Sequence, residues 1–444
     1  MANLNLKAEG ENTYDAIVVG TGISGGWAIK ELTEKGLKVL ALEKGRDVKH
    51  GDYPTAMLDP WQLPNGDRLP DDVLEKDYWV QNRTGYTIRE STKHWWIKDS
   101  DEPYAEDKRF DWIRGYHVGG RSLLWGRQSY RLSNLDFEAN LKDGVAVDWP
   151  VRYEDLAPWY DYVETFAGIS GQAEGLPHLP DGKFLPPMEL NCVEKDFKSK
   201  IASKFNGRNL TIGRTAIVTK EHNGRGPCQY RNRCMRGCPF GAYFSSQSAT
   251  LPAAYATGNL TMRPHSAVES VIYDDTTGKA KGVRVIDSQT GETIEFFAKI
   301  IFLNASTIAS THIMLNSKSD RFPNGLGNDS GELGHNLMDH HFRTGARASV
   351  EGFEDKYYFG RRANGIYIPR FRNLNGNDMP YIRGFGYQGG ASRSGWNRNS
   401  ENEFGSDMIQ EVSKPGPWSI GINGFGECLP YHENHMRLDE NKKD

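Results

Sequence analysis

What this chain lacks excludes several kinds of protein. No apolar stretch approaches the roughly 18 residues that a membrane-spanning helix needs, and the longest, such as Ile300-Ile301-Phe302-Leu303, have the length of a strand. There is no basic surplus: 54 Lys and Arg against 58 Asp and Glu give a net charge of −4, so the electrostatic footprint of a nucleic-acid binder is missing. The first residues, MANLNLKAEGENTYD, hold no basic n-region, apolar h-region or twin arginine. Localisation is therefore left open between cytoplasm and a periplasm reached by co-export with a partner. No internal repeat or low-complexity tract occurs. Cysteine is scarce, five in 444 residues, and the odd number argues against a disulfide framework. At that length one hydrophobic core rarely organises the whole chain, so two domains are expected. The composition, 37% hydrophobic and 25% charged, is that of a soluble globular protein.

Against these absences stands one strong local pattern. The apolar run Tyr14-Asp15-Ala16-Ile17-Val18-Val19 leads directly into Gly20-Thr21-Gly22-Ile23-Ser24-Gly25-Gly26, a dinucleotide fingerprint between a strand and a helix. Gly20 permits the tight turn, Gly22 lets the backbone approach a pyrophosphate, and Gly25 lets the helix pack on its strand. Gly36 suits the helix C-cap, and a second strand, 38–42, ends on Glu43. An acid about 20 residues past the glycines suits a ribose 2′-hydroxyl and repels a 2′-phosphate, which favours FAD or NAD over NADP.

Residues 51–110 are rich in Pro, Asp and Trp with little periodicity, and read as a long cover over a site. At 117–132 the paired glycines Gly119 and Gly120 precede Arg121 and Ser122, a form suited to backbone lying against a planar ring. The segment from Tyr153 through Val163 predicts a helix. Strands are predicted at 261–263, 267–273, 282–286, 293–297 and 299–305, the middle ones as a small antiparallel meander and the last as a buried run rejoining a parallel sheet. Past residue 342, stretches such as 365–369 and 419–425 read as strands of a second sheet.

Taken together, these segments resemble the glucose-methanol-choline (GMC) oxidoreductases, FAD enzymes that oxidise alcohols and sugars. Besides the glycine loop with Glu43, Gly119-Gly120-Arg121-Ser122 is similar to the family's GGxS flavin loop, and Asp148-Trp149-Pro150 with YEDLAPWYDYVE to its entry into the substrate region. Asn304-Ala305-Ser306-Thr307 resembles the segment closing on the ADP moiety, and Gly334-His335-Asn336-Leu337-Met338-Asp339-His340 the family's G-x-N-L-x-D-H run. The resemblance implies an α/β fold: a discontinuous Rossmann-like FAD-binding domain (10–50, 110–150 and 210–341), a cover segment (51–109), and a substrate domain on an antiparallel sheet (151–209 and 342–444). It implies cofactor contacts from Gly20, Thr21, Gly22, Ile23, Ser24, Gly25, Glu43, Gly119, Gly120, Ser122 and Ala305, with Val268 as a backbone contact to adenine. Pyranose-oxidising relatives attach flavin covalently through a histidine where this chain has Leu124, so noncovalent FAD is expected.

Cys228, Cys234 and Cys238 fall within eleven residues, spaced by five and three, and the C-x3-C-P tail is shared with ferredoxin-type runs. The segment resembles that of bacterial FAD glucose, gluconate and glucoside 3-dehydrogenases, which implies a [3Fe-4S] cluster on these three thiolates, its potential raised by Arg231, Arg233 and Arg236. A disulfide, reduced thiols, or zinc with His222 as fourth ligand are the alternatives. Cys192 and Cys428 read as small buried residues.

Oxidising an alcohol needs a base for the hydroxyl proton, a task suited to histidine. The resemblance puts this base in a C-terminal segment not found here, where the chain reads as C-terminally incomplete. His432 and His435 are the in-chain substitutes, though the pair reads more readily as a solvent-side polar turn than as a base or metal site; His340 and His341 read as structural or near the substrate entrance, and no catalytic residue is assigned. The resemblance further implies a sugar or glucoside substrate, a small companion subunit, and a cytochrome or quinone-linked electron acceptor. Trp95, Trp96 and Trp396 are read either as sugar-stacking surfaces or as core. A non-catalytic or truncated flavoprotein or electron-transfer module, and an NAD-dependent dehydrogenase, are the rival readings.

Overall fold

A computed structural model describes residues 12–85, 88–357, 362–363, 365–376, 379–394 and 404–442; Trp396 lies outside them. The chain divides into two compact units, one of Met1–Gly126, Arg233–Leu337 and Tyr431–Asp444, the other of Arg127–Asn232 and Met338–Pro430. In chain order the strands are β1 (Thr13–Val19), β2 (Val39–Leu42), β3 (Thr211–Ile212), β4 (Leu260–Arg263), β5 (Ser266–Asp274), β6 (Lys279–Asp287), β7 (Thr293–Leu303), β8 (His340–Val350), β9 (Ile366–Ile368), β10 (Gly386–Arg393) and β11 (Trp418–Glu427).

The first unit is built on a six-stranded sheet of order β4-β2-β1-β7-β6-β5. β1 is parallel to both β2 and β7, and β2 to β4, whereas β5, β6 and β7 run antiparallel. Ala16, Ile17, Val18 and Val19 are all buried because the centre of a parallel sheet is covered on both faces. Ile17 and Val19 join an apolar cluster on one face, and Ala16 and Val18 pack with Ile29 of helix α1 (Ile23–Glu34) on the other. Gly36, at φ +81°, follows the end of α1 in the left-handed region, as its C-cap role requires.

One expectation is corrected here. The two predicted strands at 293–297 and 299–305 are a single strand, β7, whose first half pairs with β6 and whose second half pairs with β1. No turn residue separates Phe297 from Lys299, so the pleat continues. The meander is thus hydrogen-bonded into the parallel sheet, and the end of the strand is not a buried run: Ile300 and Phe302 are exposed while Ile301 and Leu303 pack on the core.

The second unit carries an antiparallel sheet of order β3-β9-β10-β11-β8. Its middle is glycine-rich because the strands approach too closely for side chains: a Cβ on Gly389 would lie 2.0 Å from the Gly421 carbonyl oxygen. Helix Tyr153–Ala167 covers the predicted segment. It ends at Gly168, at φ +72° in the left-handed region with its N–H donating to the Glu164 carbonyl, and His222 Nε2 lies 2.8 Å from the Thr165 carbonyl oxygen.

Candidate functional site

Within the first unit, the carboxyl end of β1 opens onto the glycine loop. Gly20 has φ +89°, and a Cβ there would lie 2.5 Å from the Asn304 carbonyl oxygen and 2.9 Å from the Ala305 Cα, so the end of β7 presses on the turn. A Cβ on Gly25 would sit 1.9 Å from the Gly20 carbonyl oxygen, and glycine is what allows α1 to seat on its strand. Gly22 differs: among the described residues, no atom beyond its own chain neighbours lies within 4 Å of the position its Cβ would take, leaving one side of the loop open. Ile23 and Ser24 form the first turn of α1, which has no acidic residue. Its amides and dipole are therefore unopposed for an anionic phosphate.

A chain of buried polar contacts ties this loop to the two others. Thr21 donates from its hydroxyl to Glu43 Oε2 at 2.6 Å and from its backbone N–H to the same oxygen at 3.2 Å. Its hydroxyl also accepts from the Gly119 N–H at 2.8 Å. Gly119 and Gly120 both have positive φ, and a Cβ on Gly120 would lie 3.4 Å from the Gly22 Cα, so the two glycine loops lie against each other. Ser122 donates from Oγ to the Gly119 carbonyl at 2.6 Å. Glu43 Oε1 accepts from the Gly45 N–H and, with two lone pairs, retains acceptor capacity for a hydroxyl. Burial pushes the Glu43 carboxyl above the ordinary carboxylate range, opposed by its bonds to Thr21, Gly45 and Lys44. β5 begins beside it, Ser266 donating to the Glu43 carbonyl at 2.8 Å, and Val268 sits two residues further along this edge strand, at a bulge.

The sequence reading missed one participant. In the turn Ser246–Thr250, Ser246 donates from Oγ to the Gly22 carbonyl at 3.0 Å and from N–H to Ser122 Oγ at 2.9 Å. The available signal was Ser245-Ser246-Gln247-Ser248-Ala249-Thr250 itself, a hydroxyl-rich run ahead of the helix Leu251–Ala256, with Ser245 and Ser248 placed for reciprocal capping.

Leu124 is buried in an apolar cluster with Val48, Tyr53, Trp95, Trp96 and Leu123, against which Met235 packs. Trp95 and Trp96 are therefore core residues and offer no stacking surface. Beside them His117 is buried and its Nε2 has no hydrogen-bond partner among the described residues; burial pushes it down to about 4, so it is neutral at pH 7. His94 is likewise pushed down to about 4, by burial and then by Arg46.

The cysteine-bearing turn Cys234–Arg236 is clamped to the cover segment. Arg233 pairs with Asp59, Arg236 pairs with Asp67 at 2.9 Å and donates to the Leu58 carbonyl at 2.8 Å, and the Tyr53 ring lies against Gly237. Both guanidinium groups are thus matched by carboxylates, which removes the expected bias of Arg233 and Arg236 toward a raised potential. Cys228 belongs to the other unit, where Cys192 heads helix Cys192–Lys204. None of the five cysteines is in a disulfide, and Cys192 and Cys428 are half-buried rather than buried. Among the described residues no group of three or more His, Cys, Asp or Glu is gathered as a metal ion would require.

In the first unit His432 and His435 stack on His335, with ring centroids 3.9 and 5.0 Å apart, and His335 Nδ1 lies 2.7 Å from the His432 carbonyl oxygen. His340 and His341 begin β8 in the second unit and are exposed. No described helix is long and apolar enough to cross a membrane.

A parallel sheet with an open glycine loop, an acid at the end of β2 and a second glycine loop laid on the first defines a dinucleotide-binding type of site. A family model described as GMC oxidoreductase matches residues 14–342. The 2-methyl-1,2-propanediol dehydrogenase of Mycolicibacterium austroafricanum is 27% identical, over 97% of this chain and 74% of its own length. The fructose dehydrogenase large subunit of Gluconobacter japonicus is 25% identical, over 100% and 78%, and the gluconate 2-dehydrogenase flavoprotein of Pantoea cypripedii 24% identical, over 97% and 74%. The crystal structure of pyridoxine 4-oxidase from Mesorbium loti matches with a TM-score of 0.54, over 93% of this chain and 71% of that one, at 17% identity, a likeness of fold. The chain belongs to the GMC oxidoreductase family, and is by that membership an enzyme of the FAD-dependent dehydrogenase class.

Proposed function

We propose that the chain oxidises a CH–OH group of a sugar or polyol, using FAD held noncovalently between the loops Gly20–Gly25 and Gly119–Ser122. The observation that carries this reading is the pair of glycine loops in contact, with Gly22 open on one side and Thr21 hydrogen-bonded to both Glu43 and Gly119. FAD, when bound, supplies the acceptor for the hydride that leaves the carbinol carbon. The first turn of α1 would hold its phosphates, Glu43 Oε1 a ribose hydroxyl, Val268 and Ala305 the adenosine end. Leu124, sealed in its apolar cluster, supports noncovalent attachment. The relatives' names, a diol, a fructose and a gluconate dehydrogenase, support a polyhydroxylated substrate. Among the sugars, glucosides oxidised at C3 are favoured on the resemblance of the cysteine segment alone. One relative is named as a large subunit, which supports a smaller companion and an external electron acceptor.

An iron-sulfur cluster on Cys228, Cys234 and Cys238 rests on their spacing. The three do not form a gathered ligand set among the described residues. Iron and acid-labile sulfide analysis of protein purified without oxygen tests it: about three irons per chain supports the cluster, and none rejects it.

The function is tested by an anaerobic absorbance spectrum before and after addition of a methyl glucoside, fructose, gluconate and a vicinal diol. Flavin bands bleached by one of these support the reading. A colourless protein that does not take up FAD overturns it, and flavin that none of them reduces favours an electron-transfer module.

A further inference from the structure

The turn Ser246–Thr250 is an unusual place for polar side chains: Ser246 is 0% exposed, Gln247 3% and Thr250 1%. Buried polar groups persist where hydrogen bonds offset their desolvation. Here the bonds of Ser246 and of Gln247 Nε2 run outward to the two glycine loops, and those between Ser245 and Ser248 stay within the turn. Ser245 and Ser248 cap each other reciprocally, at 3.0 and 3.2 Å, and Ser248 Oγ donates to the Tyr243 carbonyl at 2.9 Å. Gln247 Nε2 donates to the Val118 carbonyl, its amide covering Gly119 so closely that a Cβ there would lie 2.1 Å from it. Ser246 reaches both loops, through the Gly22 carbonyl and Ser122 Oγ. The turn has π-type hydrogen bonding, which is rare in proteins and concentrated at functional sites.

We propose that Ser246 is a positioning residue for the flavin nucleotide, locking the Gly20–Gly25 loop in register with the Gly119–Ser122 loop from behind. It is too deeply buried to touch a ligand and acts through the peptides on either side. Among the described residues nothing packs on the open side of Gly22, and its carbonyl is held by the α1 bond from the Gly26 N–H at 2.7 Å and by Ser246. Removing the Ser246 hydroxyl frees the peptide that presents the head of α1. The Ser246 N–H, which alanine keeps, still sets the Ser122 hydroxyl toward the Gly119 carbonyl, so the loss falls on the Gly22 side.

This inference rests on the reading that the two loops hold FAD, and the test separates the two. FAD affinity and the visible circular dichroism of bound flavin are measured for the wild-type chain, Ser246→Ala, and Ser317→Ala as control. Ser317 is an equally buried hydroxyl that bonds Val271 and Ile313, outside both loops. Ser246→Ala is expected to weaken FAD binding about tenfold and to change the flavin dichroism, while Ser317→Ala leaves both within twofold. A wild-type chain that takes up no FAD overturns the cofactor reading and this inference with it. A wild-type chain that binds FAD, with Ser246→Ala matching it in affinity and dichroism, overturns the inference alone. Should Ser246→Ala fail to fold, hydrogen exchange of the wild-type chain decides: FAD must slow exchange across 245–250 together with 117–125, and unchanged exchange at 245–250 refutes the role.

Discussion

Thr21→Val is the sharpest probe of the polar chain under the glycine loops. Valine keeps the shape of threonine but removes the hydroxyl that donates to Glu43 at 2.6 Å and accepts from Gly119 at 2.8 Å. Two groups lose a partner where water does not reach: the Gly119 N–H and Glu43 Oε2, which keeps the Thr21 N–H. An orphaned buried polar group costs about 1–3 kcal/mol, and more when it is charged. The two losses share one network and do not simply add, and Glu43 can relieve its own by taking up a proton, so about 3 kcal/mol is expected. If that cost falls on the opening of the Gly119 loop, exchange of its amide rises about 150-fold, at tenfold per 1.4 kcal/mol. Hydrogen exchange followed by mass spectrometry on a peptide covering 117–125 reads this directly. Thr21→Ser keeps the hydroxyl and is expected within threefold of the wild-type chain. Exchange in Thr21→Val within that same threefold would refute the claim that this hydroxyl joins the loops.

Gly25→Ala places a Cβ 1.9 Å from the Gly20 carbonyl, so α1 must shift off β1; the purified variant is expected to carry no flavin, and retention of flavin at the wild-type level would contradict this packing role. His117, neutral in the fold with its value lowered to about 4, takes up a proton near pH 6.5 once unfolded. The unfolded chain therefore binds the extra proton between pH 6.5 and 4, and stability falls as pH drops through that window, by about 3 kcal/mol in all. His117→Gln is expected to flatten the dependence of the thermal midpoint on pH there, and an unchanged slope would assign the acid sensitivity elsewhere. Arg236→Met leaves the Asp67 carboxylate buried without its cation, at a cost of about 3 kcal/mol, and is expected to speed labelling of Cys234 and Cys238 by a thiol reagent about 150-fold. Labelling at the wild-type rate would mean that the turn is held without this ion pair.

Much of the first unit was legible because its information is local. The β1–loop–α1–β2 segment follows from an apolar strand, three glycines at fixed spacing, a C-cap glycine and an acid, all within residues 14–43, where local preference and burial agree. Gly119-Gly120-Arg121-Ser122 was readable for a similar reason, since positive φ at paired glycines is a local demand. The single β7 strand was not read correctly, because a lysine between two apolar runs suggests a break when the pairing partners on either side are unknown.

What folding alone decided is which distant polar groups meet. Thr21 and Gly119 are 98 residues apart, and Gly22 and Ser246 are 224 apart; no spacing in the chain predicts either bond. Trp95 and Trp96 could have faced a sugar, but the cover segment folds them inward with Leu123 and Leu124. The cysteines show the converse: a compact spacing in sequence, yet Cys228 falls in one unit and Cys234 and Cys238 in the other. Backbone preference acts over a few neighbouring residues and is written in the sequence as pattern. Burial and hydrogen-bond satisfaction act through space, and they select partners only after the chain has closed its long loops.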